Sequence, residues 1–104
     1  MSDRAAFLGI DAGGSSTRWL LLDAAGEELA RGAGGPVSAI QLATPERAAV
    51  LERLTALLRQ VAATATPARV VAGVTGLEPD SPDAGFLATT IAEALQMPQA
   101  AVSV

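Results

Sequence analysis

The fold is decided by the stretch GIDAGGSST, residues 9–17. Mainly apolar runs lie on either side of its turn residues, at 7–10 and 18–22, and each run predicts a buried strand. Residues 11–17 must then reverse the chain between the two strands. Glycine tolerates the positive φ that many tight turns need, so we expect Gly13 and Gly14 to supply that tolerance.

The same turn combines groups that bind phosphate and a divalent cation. Backbone N–H groups beside glycines can approach an anion closely, and Ser15, Ser16 and Thr17 add hydroxyl donors. Asp11, at the end of the first strand, can hold a hydrated Mg²⁺ through its carboxylate oxygens. A plain hairpin loop is the alternative interpretation, because Gly, Ser and Asp are also the residues that tight turns prefer.

Two commoner phosphate motifs are excluded by the residues around this turn. The P-loop needs a lysine before its Ser or Thr, and the chain contains no lysine. The dinucleotide fingerprint needs glycines that begin a helix, whereas residues 19–22 here predict a strand. If the turn binds phosphate, it therefore belongs to a different class of phosphate site, and the plain hairpin loop stays the alternative.

The rest of the chain predicts two helices and three further strands. Thr44-Pro45-Glu46 and Ser81-Pro82-Asp83 each place an N-cap residue, a proline at the first helical position and an acid in the first turn. These helices are expected to end near Ala63 and Gln96. The further strands are predicted at residues 28–32, 69–74 and 101–104, and the middle one as a buried central strand.

Apolar residues at three-and-four spacing give each helix one inward face. The predicted inward residues are Val50, Leu51, Leu54, Leu57, Leu58 and Val61 in the first helix, and Phe86, Leu87, Ile91, Ala94 and Leu95 in the second. Glu52, Arg53, Arg59 and Gln60 are expected to face water. Only 3% of residues are aromatic, so Trp19 and the two phenylalanines are expected to be the only large rings of the core.

Composition excludes several classes of function. The net charge is −4 and the seven basic residues, all arginine, are scattered, so neither nucleic acid nor a membrane surface is an expected partner. No cysteine is present, which leaves no disulfide framework or thiolate metal site and favours a cytoplasmic location. Histidine is absent too, so any general base within these residues must be a carboxylate.

Residues 8–36, LGIDAGGSSTRWLLLDAAGEELARGAGGP, resemble the first phosphate motif and following hairpin of the actin-like ATPase and sugar kinase superfamily. Within that superfamily the chain resembles the BadF/BadG/BcrA/BcrD-type ATPase family, which includes N-acetylglucosamine kinases. The resemblance continues through VVAGVTGLEPDSPDAG at residues 70–85 and AVSV at 101–104. It implies a ribonuclease H-like α/β N-terminal domain of order βββαβαβ with a mixed sheet. Residues 1–104 would form this domain incompletely, truncated at the C-terminus and without the second domain.

The resemblance also implies roles for individual residues. Asp11 would hold Mg²⁺ through water, and Gly13, Gly14, Ser15, Ser16 and Thr17 would contact the β- and γ-phosphates of ATP. Ser38, Thr75 and Gly76 are candidate substrate-binding residues, although a Thr that caps a strand end is an equally good interpretation of Thr75. The aspartate that takes the proton from the sugar hydroxyl is expected just beyond Val104. We therefore expect no turnover from residues 1–104 alone.

Three functions are compatible with these observations. The leading one is ATP-dependent phosphorylation of an amino sugar, N-acetylglucosamine or glucosamine, by the complete protein. The second is an ATPase that activates a partner enzyme through an iron–sulfur cluster, which the absence of cysteine disfavours within this region. The third is a non-catalytic nucleotide-binding or assembly module that pairs with another chain, for instance as a homodimer.

Overall fold

The computed structural model describes residues 5–104, with side chains described from Phe7 onward, so the first four residues of the predicted domain lie outside the described residues. The elements are strand β1 (Ala5–Ala12), β2 (Thr17–Asp23) and β3 (Glu28–Gly34), helix α1 (Ala39–Leu42) and α2 (Arg47–Thr64), strand β4 (Arg69–Val74), helix α3 (Pro82–Leu95), a 3₁₀ turn (Gln99–Ala101) and strand β5 (Val102–Ser103). No helix in the described range is long and apolar enough to cross a membrane.

The five strands form one mixed sheet in the order β3-β2-β1-β4-β5. The first three strands are antiparallel neighbours, joined by hairpins. β4 lies parallel to β1, and β5 lies parallel to β4. The predicted mixed α/β sheet is thus confirmed, and its parallel part places the carboxyl ends of β1 and β4 at the same edge.

Both long helices pack on the same face of the sheet, which we call the covered face. Leu8, Ile10 and Ala12 of β1 point to it, and so do Trp19 and Leu21 of β2, all of them buried. The predicted inward face of α2 is confirmed. Its buried residues are Val50, Leu54, Leu57, Leu58 and Val61, while Leu51 is partly buried against the same core.

The opposite side of the sheet, which we call the open face, has no described element packed across it. Because side chains alternate along a strand, it carries every second residue. Its residues are Phe7, Gly9, Asp11, Arg18, Leu20, Leu22, Glu28, Arg31, Ala33, Arg69, Val71, Gly73 and Ser103. The prediction that β4 is a buried strand is therefore wrong for one of its faces, where Val71 is 57% exposed.

Phenylalanine is the second point at which the core differs from expectation. Phe7 lies on the open face, and Phe86 is 40% exposed. The guanidinium of Arg47 lies over the Phe86 ring, 4.8 Å from its centroid, and also reaches Asp83 Oδ1 at 3.8 Å. The prediction that Phe86 faces inward is therefore wrong. The inward face of α3 is otherwise as predicted at Leu87, Ile91 and Leu95, and it also buries Ala84, Ala88 and Ala92.

The first long helix begins later than its sequence pattern predicts. Thr44 donates its hydroxyl to the Gln41 carbonyl at 2.7 Å and accepts from the Glu46 N–H at 3.1 Å. It therefore closes α1, a short helix that was not predicted, and α2 starts at Arg47. By contrast Ser81 caps α3 as predicted, accepting from the Ala84 N–H at 3.1 Å.

Candidate functional site

Three loops meet at the edge where β1 and β4 end, and we call this region the loop edge. The hairpin loop of residues 13–16 is joined to the loop after β3, because the Val37 N–H donates to the Gly13 carbonyl at 3.0 Å. The loop after β4 is joined to both, through Thr75 N–H to Ala12 O at 2.9 Å and Ala39 N–H to Thr75 O at 3.0 Å. The structure thus brings the ends of β1 and β4 together, as the sheet order predicts.

The hairpin loop is closed without positive φ at its glycines. The Gly13 N–H donates to the Ser16 carbonyl at 2.9 Å, and among described glycines a positive φ occurs at Gly26 and Gly76. The expected conformational role of Gly13 and Gly14 is therefore wrong. Gly13 is explained by close approach instead, since a Cβ there would lie 3.2 Å from the Ser16 carbonyl oxygen.

Gly14 has neither of these reasons to be glycine. A Cβ at this position would meet nothing within 4 Å, and its φ is not positive. Within the described residues, the backbone N–H groups of Gly14, Ser15 and Ser16 donate to no backbone or side-chain acceptor. All three residues are exposed. The tip of the loop consequently presents three consecutive free N–H donors together with two hydroxyls.

Thr17 differs from the two serines before it. Its side chain is fully buried on the covered face, and its hydroxyl donates to the Gly35 carbonyl at 2.9 Å. The only donor proton of that hydroxyl is thus used inside the fold. In this arrangement Thr17 braces the hairpin loop against the loop after β3, and its side chain does not face solvent.

Asp11 lies on the open face, one residue before the end of β1. Its backbone neighbours across the sheet are Arg18 and Gly73, and its carboxylate accepts no hydrogen bond from any described residue. In the described part of the chain no three His, Cys, Asp or Glu side chains come together. A single exposed carboxylate suits a largely hydrated Mg²⁺ that is also held by phosphate oxygens, and does not suit an all-protein metal cage.

Ser38, a candidate for substrate binding, faces into the fold. It is 3% exposed, and its hydroxyl caps α1 by accepting from the Gln41 N–H at 3.3 Å. The same hydroxyl lies 3.0 Å from Gln41 Oε1, to which it donates. Both hydrogen-bonding functions are therefore used locally, so Ser38 would have to release Gln41 to bind a ligand, and its substrate-binding role stays a prediction.

Thr75 and Gly76 are exposed at the loop edge, next to the hairpin loop. A Cβ at Gly13 would lie 3.8 Å from Thr75 Oγ1, so this hydroxyl borders the phosphate candidate loop. Gly76 has φ +79°, and a Cβ there would touch Ile40 Cγ1 at 3.4 Å. The positive φ therefore explains glycine at 76, since a Cβ there would make only an ordinary contact with Ile40.

Two residues that line or support the loop edge were not predicted from the sequence. Ile40 is a large apolar side chain that is 67% exposed beside Gly76. The only sequence signal for this position is that Ile40 comes two residues after Ser38, the N-cap of α1. Arg53, predicted to face water, donates from Nε to the Pro36 carbonyl at 3.0 Å. It anchors the loop after β3 to α2, a contact over 17 residues that helical periodicity does not encode.

Comparison with known proteins gives few matches. No family model matches the chain, and no curated protein does. A similar chain is found among the solved structures. It is described as a "Putative N-acetylglucosamine Kinase from Chromobacterium violaceum", with 31% sequence identity over 72% of this chain and a TM-score of 0.48. The present chain spans 27% of that protein.

Proposed function

We propose that this chain is the phosphate-binding part of an ATP-dependent kinase that phosphorylates a hydroxyl of an amino sugar, N-acetylglucosamine or glucosamine. The observation that carries the proposal is the tip of the hairpin loop. Gly14, Ser15 and Ser16 offer three adjacent unpaired N–H groups, and Gly14 has no structural reason to lack a side chain. Successive free backbone N–H groups form a concave anion site.

The loop is held in place before any ligand arrives. The carbonyl of its first residue, Gly13, accepts a hydrogen bond from the loop after β3. At its far end the Thr17 hydroxyl donates a hydrogen bond to the Gly35 carbonyl. Donors that are already oriented lose little entropy when they bind, which favours tight binding of a phosphate chain. The same fixed orientation is what phosphoryl transfer requires of its electrostatic groups.

Asp11 is the residue that would hold the cation of Mg·ATP, through water, beside this loop. Bound Mg²⁺ neutralises charge on the phosphoryl group during transfer. Thr75 and Gly76 border the same loop and are proposed to line the acceptor side, with Ile40 as an apolar wall. An exposed aliphatic side chain next to hydrogen-bonding groups suits a sugar, whose ring presents both C–H and hydroxyl groups.

The first test is calorimetric titration of the chain with Mg·ATP. Gly14→Ala should leave the melting temperature unchanged, because its Cβ enters open space. It should weaken Mg·ATP binding about tenfold or more, because the same Cβ keeps phosphate away from the N–H groups. Thr66→Ala, an exposed substitution before β4 at the opposite edge of the sheet, is the matched control. Unchanged affinity in Gly14→Ala would contradict the proposed phosphate site.

The second test addresses the acceptor. ADP release by the complete protein is measured with Mg·ATP and, in turn, N-acetylglucosamine, glucosamine, glucose or no acceptor. Release that depends on an amino sugar supports the kinase. ATP hydrolysis that is indifferent to sugar would favour an ATPase that drives a partner enzyme, and would overturn the assignment of the acceptor.

A further inference from the structure

Arg53 lies in the second turn of α2 and reaches across to the loop after β3. The residue is half-buried, and its Nε donates to the Pro36 carbonyl at 3.0 Å. Neither of the salt bridges in the described part of the chain involves Arg53. A half-buried positive charge is thus directed at a backbone carbonyl and is paired with no described carboxylate.

Glycine at position 35 makes room for this contact. A Cβ at Gly35 would lie 2.7 Å from Arg53 Cδ, which is too close for two carbon atoms. The φ of Gly35 is not positive, so the backbone conformation does not require glycine there. What position 35 requires is therefore a free passage for the Arg53 side chain.

The Pro36 carbonyl belongs to the same peptide unit as the Val37 N–H. That N–H donates to the Gly13 carbonyl at 3.0 Å, and the Gly13 carbonyl in turn shares a peptide unit with the Gly14 N–H. A trans peptide unit is planar, so its C=O and N–H point in opposite directions, and fixing one of them fixes the other. Two rigid peptide units therefore link the Arg53 guanidinium to the Gly14 N–H.

The direction of this chain of hydrogen bonds favours an anion at its end. Hydrogen bonds in series polarise one another, and a charged donor makes the stronger bond. Each N–H points away from Arg53 and toward the loop tip. The last one, at Gly14, is the first of the three N–H groups that have no acceptor among the described residues. The positive ends of the peptide dipoles thus face the place where a phosphate would bind.

We propose that Arg53 is a positioning residue of the phosphate site, which orients and polarises the Gly14 N–H through the Pro36–Val37 and Gly13–Gly14 peptide units. This role rests on the proposed function, because it requires the loop tip to be the anion site. Arg53 acts through the backbone and has no need to contact the phosphate itself. A merely structural anchor would instead contribute to stability and leave the affinity of the folded chain for phosphate unchanged.

Titration of the chain with Mg·ATP separates geometry from charge at position 53. Arg53→Gln places an amide nitrogen where Nε lies and keeps a neutral donor, whereas Arg53→Met removes both donor and charge. Arg53→Met should weaken Mg·ATP binding about tenfold or more, and Arg53→Gln should recover most of that loss. Arg59→Met, at an exposed arginine of the same helix, controls for the lost charge. Equal affinity of the folded Arg53→Met variant and the wild type would overturn the proposal.

Gly35→Ala tests the same link from the other side. Its Cβ displaces the flexible end of the Arg53 side chain, so Mg·ATP binding should weaken about as much as in Arg53→Met. Combining the two substitutions should bring no further loss, because both break one link and their effects are not independent. Circular dichroism confirms that each variant is folded. Fully additive losses in the double variant would contradict a shared link.

Amide hydrogen exchange of the chain without ligand distinguishes failure of this proposal from failure of the proposed function. The Val37 N–H should exchange about tenfold faster in Arg53→Met than in the wild type, and Arg53→Gln should restore its protection. The amide of Val70, buried in β4, should keep its rate in every variant. Unchanged Val37 exchange would overturn the link, whatever the affinity for nucleotide. Faster Val37 exchange in Arg53→Met, together with a wild type that binds no Mg·ATP, would overturn the proposed function and with it this role.

Discussion

The covered and open faces of the sheet are built from alternate residues of the same strands, yet their side chains do opposite things. Leu21 is fully buried beneath the helices, and its neighbour Leu20 is 37% exposed. Gly32 is pressed against the Trp19 ring, whereas Gly9 opens onto free space. One face therefore supplies the packed core of the domain, and the other leaves its side chains exposed. The same residue type has a different role on each face.

The largest expected difference between the faces is at these two leucines. Leu21→Ala should lower the free energy of unfolding by about 2–5 kcal/mol, because it removes methyl groups from a packed core and leaves a cavity. Leu20→Ala should cost less than about 1 kcal/mol in dilute solution, where its side chain is partly hydrated. Urea unfolding of both variants measures the two losses in the free energy of unfolding. Equal losses would mean that the open face is also a packed core.

The glycine pair should show the next largest effect. A Cβ at Gly32 would lie 2.5 Å from Trp19 Nε1, so Gly32→Ala must displace the ring and should cost about 1–3 kcal/mol. Gly9→Ala should be neutral or stabilising by up to about 1 kcal/mol. A Cβ at this position meets nothing within 4 Å, and alanine lowers the conformational entropy of the unfolded chain. Thermal unfolding, followed by Trp19 fluorescence, measures the stability of both variants. A stable Gly32→Ala with unshifted emission would contradict the described packing.

Thr17 and Arg18 extend the comparison to hydrogen bonding. Thr17→Val keeps the shape of the side chain but removes the donor to the Gly35 carbonyl, and should cost about 1–2 kcal/mol. Thr17→Ser retains the hydroxyl and should recover much of that loss. Arg18→Gln, on the open face, should change stability by less than about 0.5 kcal/mol. If Val and Ser variants unfold alike, the hydrogen bond does not brace the loop.

The smallest effect is expected at an ion pair on the open face. The hydrogen bond from Arg31 lowers the pKa of Glu28 from its ordinary value of 4.5. Because the folded-state pKa is the lower one, the pair stabilises the fold above pH 4.5 and this contribution is lost as the pH falls through the lowered pKa. Glu28→Gln should thus be slightly less stable than the wild type near neutral pH, with the difference vanishing in acid and in high salt.

Measuring this difference in dilute solution against Glu93→Gln, an exposed acid on α3, removes general effects of charge. A Glu28→Gln variant whose stability difference from the wild type does not change with pH would contradict the described ion pair.

Local patterns were sufficient for most of the secondary structure. The alternation around residues 7–22 predicted the first hairpin, and the cap, proline and acid at residues 81–83 predicted the start of α3. At Thr44 the same signature was misleading, because its hydroxyl serves the preceding α1 as well. A cap signature indicates that a helix end is near, but tertiary contacts decide which helix uses it.

The candidate site was only partly readable from the sequence. The turn at residues 13–16, the position of Asp11 and the approach of Thr75 all follow from strand order, since parallel strands end at one edge. The sequence did not predict that Ser38 and Thr17 point inward, because their hydroxyls bond to backbone groups, which every residue carries. It also did not predict that Arg53 anchors Pro36, because these two residues are far apart in the chain. A hydroxyl in a motif does not reveal whether its donor is already used.

By itself the sequence determined the strands, the two long helices and the position of the glycine-rich turn, because these depend on periodicity and on the chemistry of neighbouring residues. Only the tertiary structure decided which glycine of that turn is free of steric demands, which hydroxyls remain available, and which face of the sheet the described helices cover. The physical reason is that these properties depend on distances between residues far apart in the chain, which only the packing of helices on the sheet establishes.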